Sequence, residues 1–179
     1  MLEQRIQQQF FESADLKYQS AEALARPIAD AAAAILGAIT SGGKLMVCGS
    51  APGATLAPWL AQIFITRHER DRPPLAALAL GALPTQEVAA LGLPGDVLLL
   101  LDDGQGDAAA TVAAAQARDM TVVALAGRGA DALQDLLGET DVIIMVNAQS
   151  GARVAEIQLL VLHCLCDAVD FQLLGDQEP

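Results

Sequence analysis

The sequence predicts an α/β fold: a doubly wound five-stranded parallel sheet with two N-terminal helices and a long C-terminal helix. Three observations predict it. Short apolar runs alternate with helical patterns from Lys44 onward, glycine-bearing loops follow the first and third runs, and Val97 to Leu101 is apolar without a break. An unbroken apolar run marks a strand buried on both faces, as a helix-covered parallel sheet requires.

Leu2, Ile6, Phe10 and Ala14 recur at helical spacing among Gln and Glu, predicting an amphipathic helix to about Tyr18. Ser20 opens a second, carrying Ile28, Ala32, Ile35, Leu36 and Ile39 and ending at Gly42-Gly43. Two helices ahead of an α/β unit leave apolar stripes that oligomerisation would cover. Lys44 to Cys48 then reads as a strand, Gly49 to Gly53 as a loop, and the stretch through Trp59 to Arg67 as a helix, with Pro58 tolerated only in its first part. Leu75 to Leu80 is the next strand and Thr85 to Leu91 a brief helix. After Val97 to Leu101 come the loop Asp102 to Asp107, a helix at 108–118, a strand at 121–125, a helix near 131–137 and a strand at 142–146. The last helix, 152–174, is apolar almost all round, which places it in a core or interface. One domain spans 1–179: a helical pair at 1–43 used in oligomerisation, an α/β core at 44–174 and an acidic tail at 175–179.

Composition narrows the function. Apolar residues make up 53% of the chain but aromatics only 3%, so the core must be close-packed Ala, Leu, Val and Ile. The formal net charge of −12 repels a phosphate backbone, which argues against direct contact with nucleic acid. No apolar run approaches the roughly 18 residues of a membrane span, and the N-terminus lacks a secretory pattern, so no membrane partner and a cytoplasmic location are expected. Cys48, Cys164 and Cys166 form no paired framework and read as buried, reduced thiols rather than metal ligands.

In an open parallel sheet a ligand sits beyond the carboxyl ends of the strands, here at the loops 49–54 and 102–107. Asp107 before Ala108 reads as a helix cap, and the aspartates of this loop as solvating groups rather than an acid/base pair. A lone His163 on an apolar helix reads as a hydrogen-bonded core histidine without a catalytic role.

Five segments carry a resemblance in order along the chain: Cys48-Gly-Ser-Ala-Pro-Gly53, Arg67-His-Glu-Arg-Asp-Arg-Pro73, Gly95-Asp-Val-Leu-Leu99, Arg118 to Gly127, and Ala152-Arg-Val-Ala-Glu156. Together they resemble the SIS (sugar isomerase) family, in its phosphoheptose isomerase-like branch. That resemblance implies a ligand pocket at Ser50, Gly53, Trp59, Ile63, Asp102, Asp103, Asp107, Ala155 and His163. In the isomerases, serine and threonine hydroxyls at the loop positions hold a sugar phosphate. Here Gly53, Asp102, Asp103 and Asp107 stand in their places. A His and a Glu four residues apart, then a Gln and a His eight apart, complete those enzymes. The matching residues are Trp59, Ile63, Ala155 and His163.

The pocket is therefore expected to be vestigial and the chain non-catalytic, with no cofactor and no metal. Cys164-Leu-Cys-Asp167, Asp170 and the pair Leu173-Leu174 resemble the last helix of DiaA-like members, which associate with the replication initiator DnaA. This implies a homotetramer that binds a DnaA-type initiator through Leu173 and Leu174. The alternatives are a phosphosugar isomerase and a sugar-derivative-binding module.

Overall fold

The structure, a computed structural model, describes residues 1–50, 53–102, 108–129 and 131–176. Five parallel strands, β1 (Leu45–Gly49), β2 (Ala77–Ala79), β3 (Val97–Asp102), β4 (Thr121–Gly127) and β5 (Val142–Val146), lie in the order β2-β1-β3-β4-β5. The helices are α1 (Leu2–Thr40), α2 (Gly53–Ile65), α3 (Pro84–Leu91), α4 (Ala109–Gln116), α5 (Asp131–Gln134) and α6 (Gly151–Leu174). The chain winds one way from β1 to β2 and the other way from β3 onward. The crevice between β1 and β3 is thus the topological switch point.

β3 shows why the sheet is central. Val97, Leu99 and Leu101 face a core built with α1, α2 and α6, while Leu98 and Leu100 face a second core with α3, α4 and α5. All six residues of β3 are buried, as its sequence predicts. β2 is cut to three residues at the sheet edge, shorter than the apolar pattern from Leu75 to Leu80. α5 likewise ends at Gln134, short of the predicted Leu137.

The N-terminal region differs from the expected helical pair. It is one helix of 39 residues, about 58 Å long at 1.5 Å per residue, and it runs through both Ser20 and Pro27. Ser20 sits between strong helix formers, and the stripe Leu24, Ala31, Ala32, Ile35 and Ala38 packs into the core. Tertiary burial on both sides of Pro27 thereby outweighs the hydrogen bond that proline removes. The predicted end at Gly42-Gly43 is observed. Gly42 adopts φ +89°, and Gly43 N–H and Gly42 N–H donate to Ala38 and Ile39 carbonyls at 2.8 and 3.1 Å, a Schellman closure.

Two buried carboxylates pin the frame. Asp96, 1% exposed, accepts from the Lys44 and Leu93 backbone N–H groups at 2.9 and 2.8 Å and pairs with Lys44 Nζ, fixing the starts of β1 and β3 together. Asp170 on α6 pairs with Arg72 Nε at 2.5 Å, both side chains being almost wholly buried. The same guanidinium donates to the Phe64 and Ile63 carbonyls at 2.8 and 3.1 Å, closing the C-terminus of α2.

The expectation that no apolar stretch reaches membrane length is revised. α1 and α6 each hold an 18-residue window apolar enough by composition, but α6 buries Val154, Ile157, Val161, Leu162, Leu165, Cys166 and Val169 in one core and lies along α1. Arg72→Ala should leave the Asp170 carboxylate buried without its partner and cost about 3–5 kcal/mol. Chemical denaturation would show this as a lower midpoint at unchanged slope.

Candidate functional site

The site starts at the carboxyl end of β3. Ser50 N–H donates to the Leu101 carbonyl at 3.1 Å, and the Ala54 N–H to the Ser50 carbonyl at 2.8 Å, so the chain turns directly from β1 into α2. That turn requires glycine twice. A Cβ on Gly49 would lie 2.8 Å from Leu101 Cβ, and one on Gly53 2.7 Å from the same atom. Gly53 is therefore buried because α2 closes onto β3.

A cavity of 160 Å³ opens at this point, lined by Cys48, Gly49, Ser50, Pro84, Leu100, Asp102, Ala108 and Thr111. It faces the α3 and α4 side of the sheet. Asp102 is only 5% exposed. Burial, and after it the negative field of Glu87, pushes the Cys48 thiol up to about 12, so this thiol stays protonated. No acidic residue occupies the first turn of α2, which leaves its positive end suited to an anion.

Gln158 on α6 reaches the same strand ends and was not singled out in the sequence. Its Nε2 donates to the Asp102 and Leu125 carbonyls at 3.1 and 3.3 Å. Its Oε1 is buried without a hydrogen-bond partner among the described residues. The available signal was an amide between Ile157 and Leu159 in the most apolar part of the helix.

A second group gathers between α2 and α6. The Trp59 ring stands 5.2 Å from the His163 ring, and His68 lies 5.7 Å from His163 on centroids. His163 is exposed, which corrects its reading as a core histidine. α6 is apolar on most of its surface, but position 163 falls on the side away from Val161, Leu162 and Leu165. Ile63 packs partly against the core, and Ala155 is half-buried on α6. The predicted pocket residues thus form two groups. Ser50, Gly53 and Asp102 meet at the strand ends, whereas Trp59 and His163 meet about 9 Å further along α2, six residues beyond Gly53.

Asp103 and Asp107 lie outside the described residues, and the described part of α4 begins with Ala108 as its N-cap. Of the three thiols, Cys48 and Cys166 are buried as expected and Cys164 is exposed. Leu173 packs against the core, and Leu174 is half-buried. Asp170, grouped with them in the sequence, is the buried partner of Arg72.

The SIS domain model matches residues 9–127, about two thirds of the chain. The chain belongs to the SIS domain family. It is 50% identical to the phosphoheptose isomerase of Methylibium petroleiphilum, over 99% of this chain and 98% of that protein. It is 38% identical to the phosphoheptose isomerase of Aromatoleum aromaticum, over 97% of each. The solved phosphoheptose isomerase of Francisella tularensis superposes with a TM-score of 0.87 at 31% identity, covering 95% of this chain and 98% of that one. GmhA from Neisseria gonorrhoeae gives 0.84 at 30%, covering 95% and 99%.

These relatives overturn the expectation of a non-enzyme. The expectation rested on Trp59, Ile63 and Ala155 replacing polar groups position by position. The fold adds a group from outside those positions, because it brings His68 to His163. The positions at which the isomerases carry His, Glu and Gln fit a metal poorly here: the indole of Trp59 and the aliphatic side chains of Ile63 and Ala155 cannot ligate. Among the described residues no three His, Cys, Asp or Glu side chains converge.

Gly53→Ala should push α2 off β3 and lower stability by about 1–3 kcal/mol. Gly151→Ala, whose Cβ meets nothing within 4 Å, serves as the control and should leave the thermal midpoint unchanged.

Proposed function

We propose that the protein is a soluble, cytoplasmic phosphosugar isomerase of the phosphoheptose isomerase kind. The full-length 50% identity to an enzyme of that name carries the reading. The geometry supports it with a cavity at the switch point and, about 9 Å further along α2 from Gly53, an imidazole pair.

An aldose–ketose isomerisation moves a proton between two adjacent carbons through an enediol, so it needs one group to take the proton and one to return it. Imidazole is suited to both near neutral pH. His163 and His68 supply two: His163 stands on α6 against the Trp59 ring, and His68, in the segment after α2, stands against His163. Ser50 and the first turn of α2 offer a hydroxyl and backbone amides to the phosphate. Purified protein given sedoheptulose 7-phosphate should form the aldose isomer, and His163→Ala should lower kcat by about 100-fold or more. Absence of turnover in the unsubstituted protein would refute the reading.

Assembly is part of the proposal. Leu2, Ile6, Phe10 and Phe11 on the N-terminal half of α1 are 49–73% exposed, a face that further copies of the chain would cover in a homotetramer. A DnaA-type initiator is a second reading that adds a partner to the chemistry. Its support is Phe171, 47% exposed and one turn before Leu174, which places an aromatic anchor at the end of α6 beside Leu173. A pull-down with DnaA should lose the initiator on Phe171→Ala combined with Leu174→Ala, while light scattering still reports a tetramer. An unchanged pull-down would refute the partner.

A further inference from the structure

The side chains around His163 favour chemistry without a metal. A catalytic zinc takes three protein ligands, drawn from imidazole, carboxylate and thiolate. Position 59 offers an indole, whose N–H only donates. Position 63 is an isoleucine packed partly against the core, and position 155 a half-buried alanine. The chain has two histidines, His68 and His163, with ring centroids 5.7 Å apart. Among the described residues no acid or thiol completes a set of three with them.

The indole is a built part of this arrangement. α2 is fixed at its start, where Gly53 closes onto Leu101, and at its end, where Arg72 donates to the Ile63 and Phe64 carbonyls. Between them Trp59 is half-buried and meets the exposed His163 ring at 5.2 Å, the planes tilted by 48°. That separation lies within the range in which aromatic rings attract. In an aldose–ketose exchange the carbonyl must be polarised while the neighbouring carbon gives up its proton. A metal ion supplies that polarisation as a Lewis acid. Two imidazoles supply it with protons: one takes the C–H proton, the C–H electron pair forms the enediol double bond, and the other imidazole gives a proton to the carbonyl oxygen. In the second half the other enediol hydroxyl loses its proton and the double bond takes one at the former carbonyl carbon. Protons and electrons balance with no further reactant.

We propose that isomerisation in this chain runs without a metal on the His163 and His68 pair, with Trp59 as the positioning residue that sets the His163 ring. The inference rests on the phosphosugar isomerase reading, but its metal arm is read without turnover. Zinc titrated calorimetrically into the untagged whole protein should show no binding that His163→Ala removes. Trp59→His combined with Ile63→Glu and Ala155→Gln should instead take up zinc, and adding His163→Ala should abolish that uptake. With sedoheptulose 7-phosphate, Trp59→Ala should lower kcat about tenfold at unchanged KM, and Trp59→Phe, which keeps a ring, should restore most of it. Zinc on the unsubstituted protein that His163→Ala or His68→Ala displaces would overturn the inference. So would an unchanged kcat in Trp59→Ala, or a folded triple variant that takes no zinc. If Trp59→Ala does not fold, Trp59→Leu against Trp59→Phe makes the same comparison. The isomerase reading fails separately: the unsubstituted protein would then never turn the sugar over, while both zinc titrations come out as expected.

Discussion

The carboxyl end of β3 is the point on which the site depends. Leu101 leaves no room for a Cβ at Gly49 or Gly53, its carbonyl takes the Ser50 N–H, and the next carbonyl, at Asp102, takes the Gln158 amide. Three elements from distant parts of the chain are thereby registered on two residues. The turn into α2 aims that helix at the crevice, and Gln158 draws α6 over the ends of β3 and β4. Because β3 is buried on both faces, none of these contacts can be shifted without disturbing both cores.

Small side chains make this closeness possible. Ala31, Ala32, Ala57 and Ala61 are essentially buried, so α1 and α2 approach the sheet without large aromatic spacers. Phe64 is the exception, and Arg72 lies over its ring at 5.8 Å while closing α2 and binding Asp170. The far end of α2 is thus fixed as firmly as its start. Trp59 stands between the two fixed ends and gives His163 a surface to rest on, and His68 in turn stands against His163.

The frame was legible where local patterns decide it. β3 follows from an unbroken apolar run, and the close of α1 from Gly42-Gly43. The continuity of α1 was not legible, because Ser20 and Pro27 are local break signals that burial of Leu24 to Ala38 overrides. The site was half legible. Ser50 and Asp102 could be placed from the strand-loop-helix pattern alone, since switch-point loops are fixed by topology. His68 could not, because it reaches His163 across 95 positions of sequence.

Charge then limits how this protein can hold an anion. The chain has ten Lys and Arg, and five of them, Arg26, Lys44, Arg67, Arg72 and Arg153, pair with carboxylates. Arg118 and Arg70 bind the Ala89 and Gly175 carbonyls. Most cations are committed to structure, and the net charge of −12 works against a phosphate approaching the surface. Backbone amides are then the group best placed to receive one, since an N–H at a helix start carries positive potential without adding a side chain that must be paired. α2 meets that need, having no acidic residue in its first turn and a start held against β3. Asp102 lines the crevice and the field of Glu87 reaches Cys48, so an anion is received better at the start of that helix than against these carboxylates.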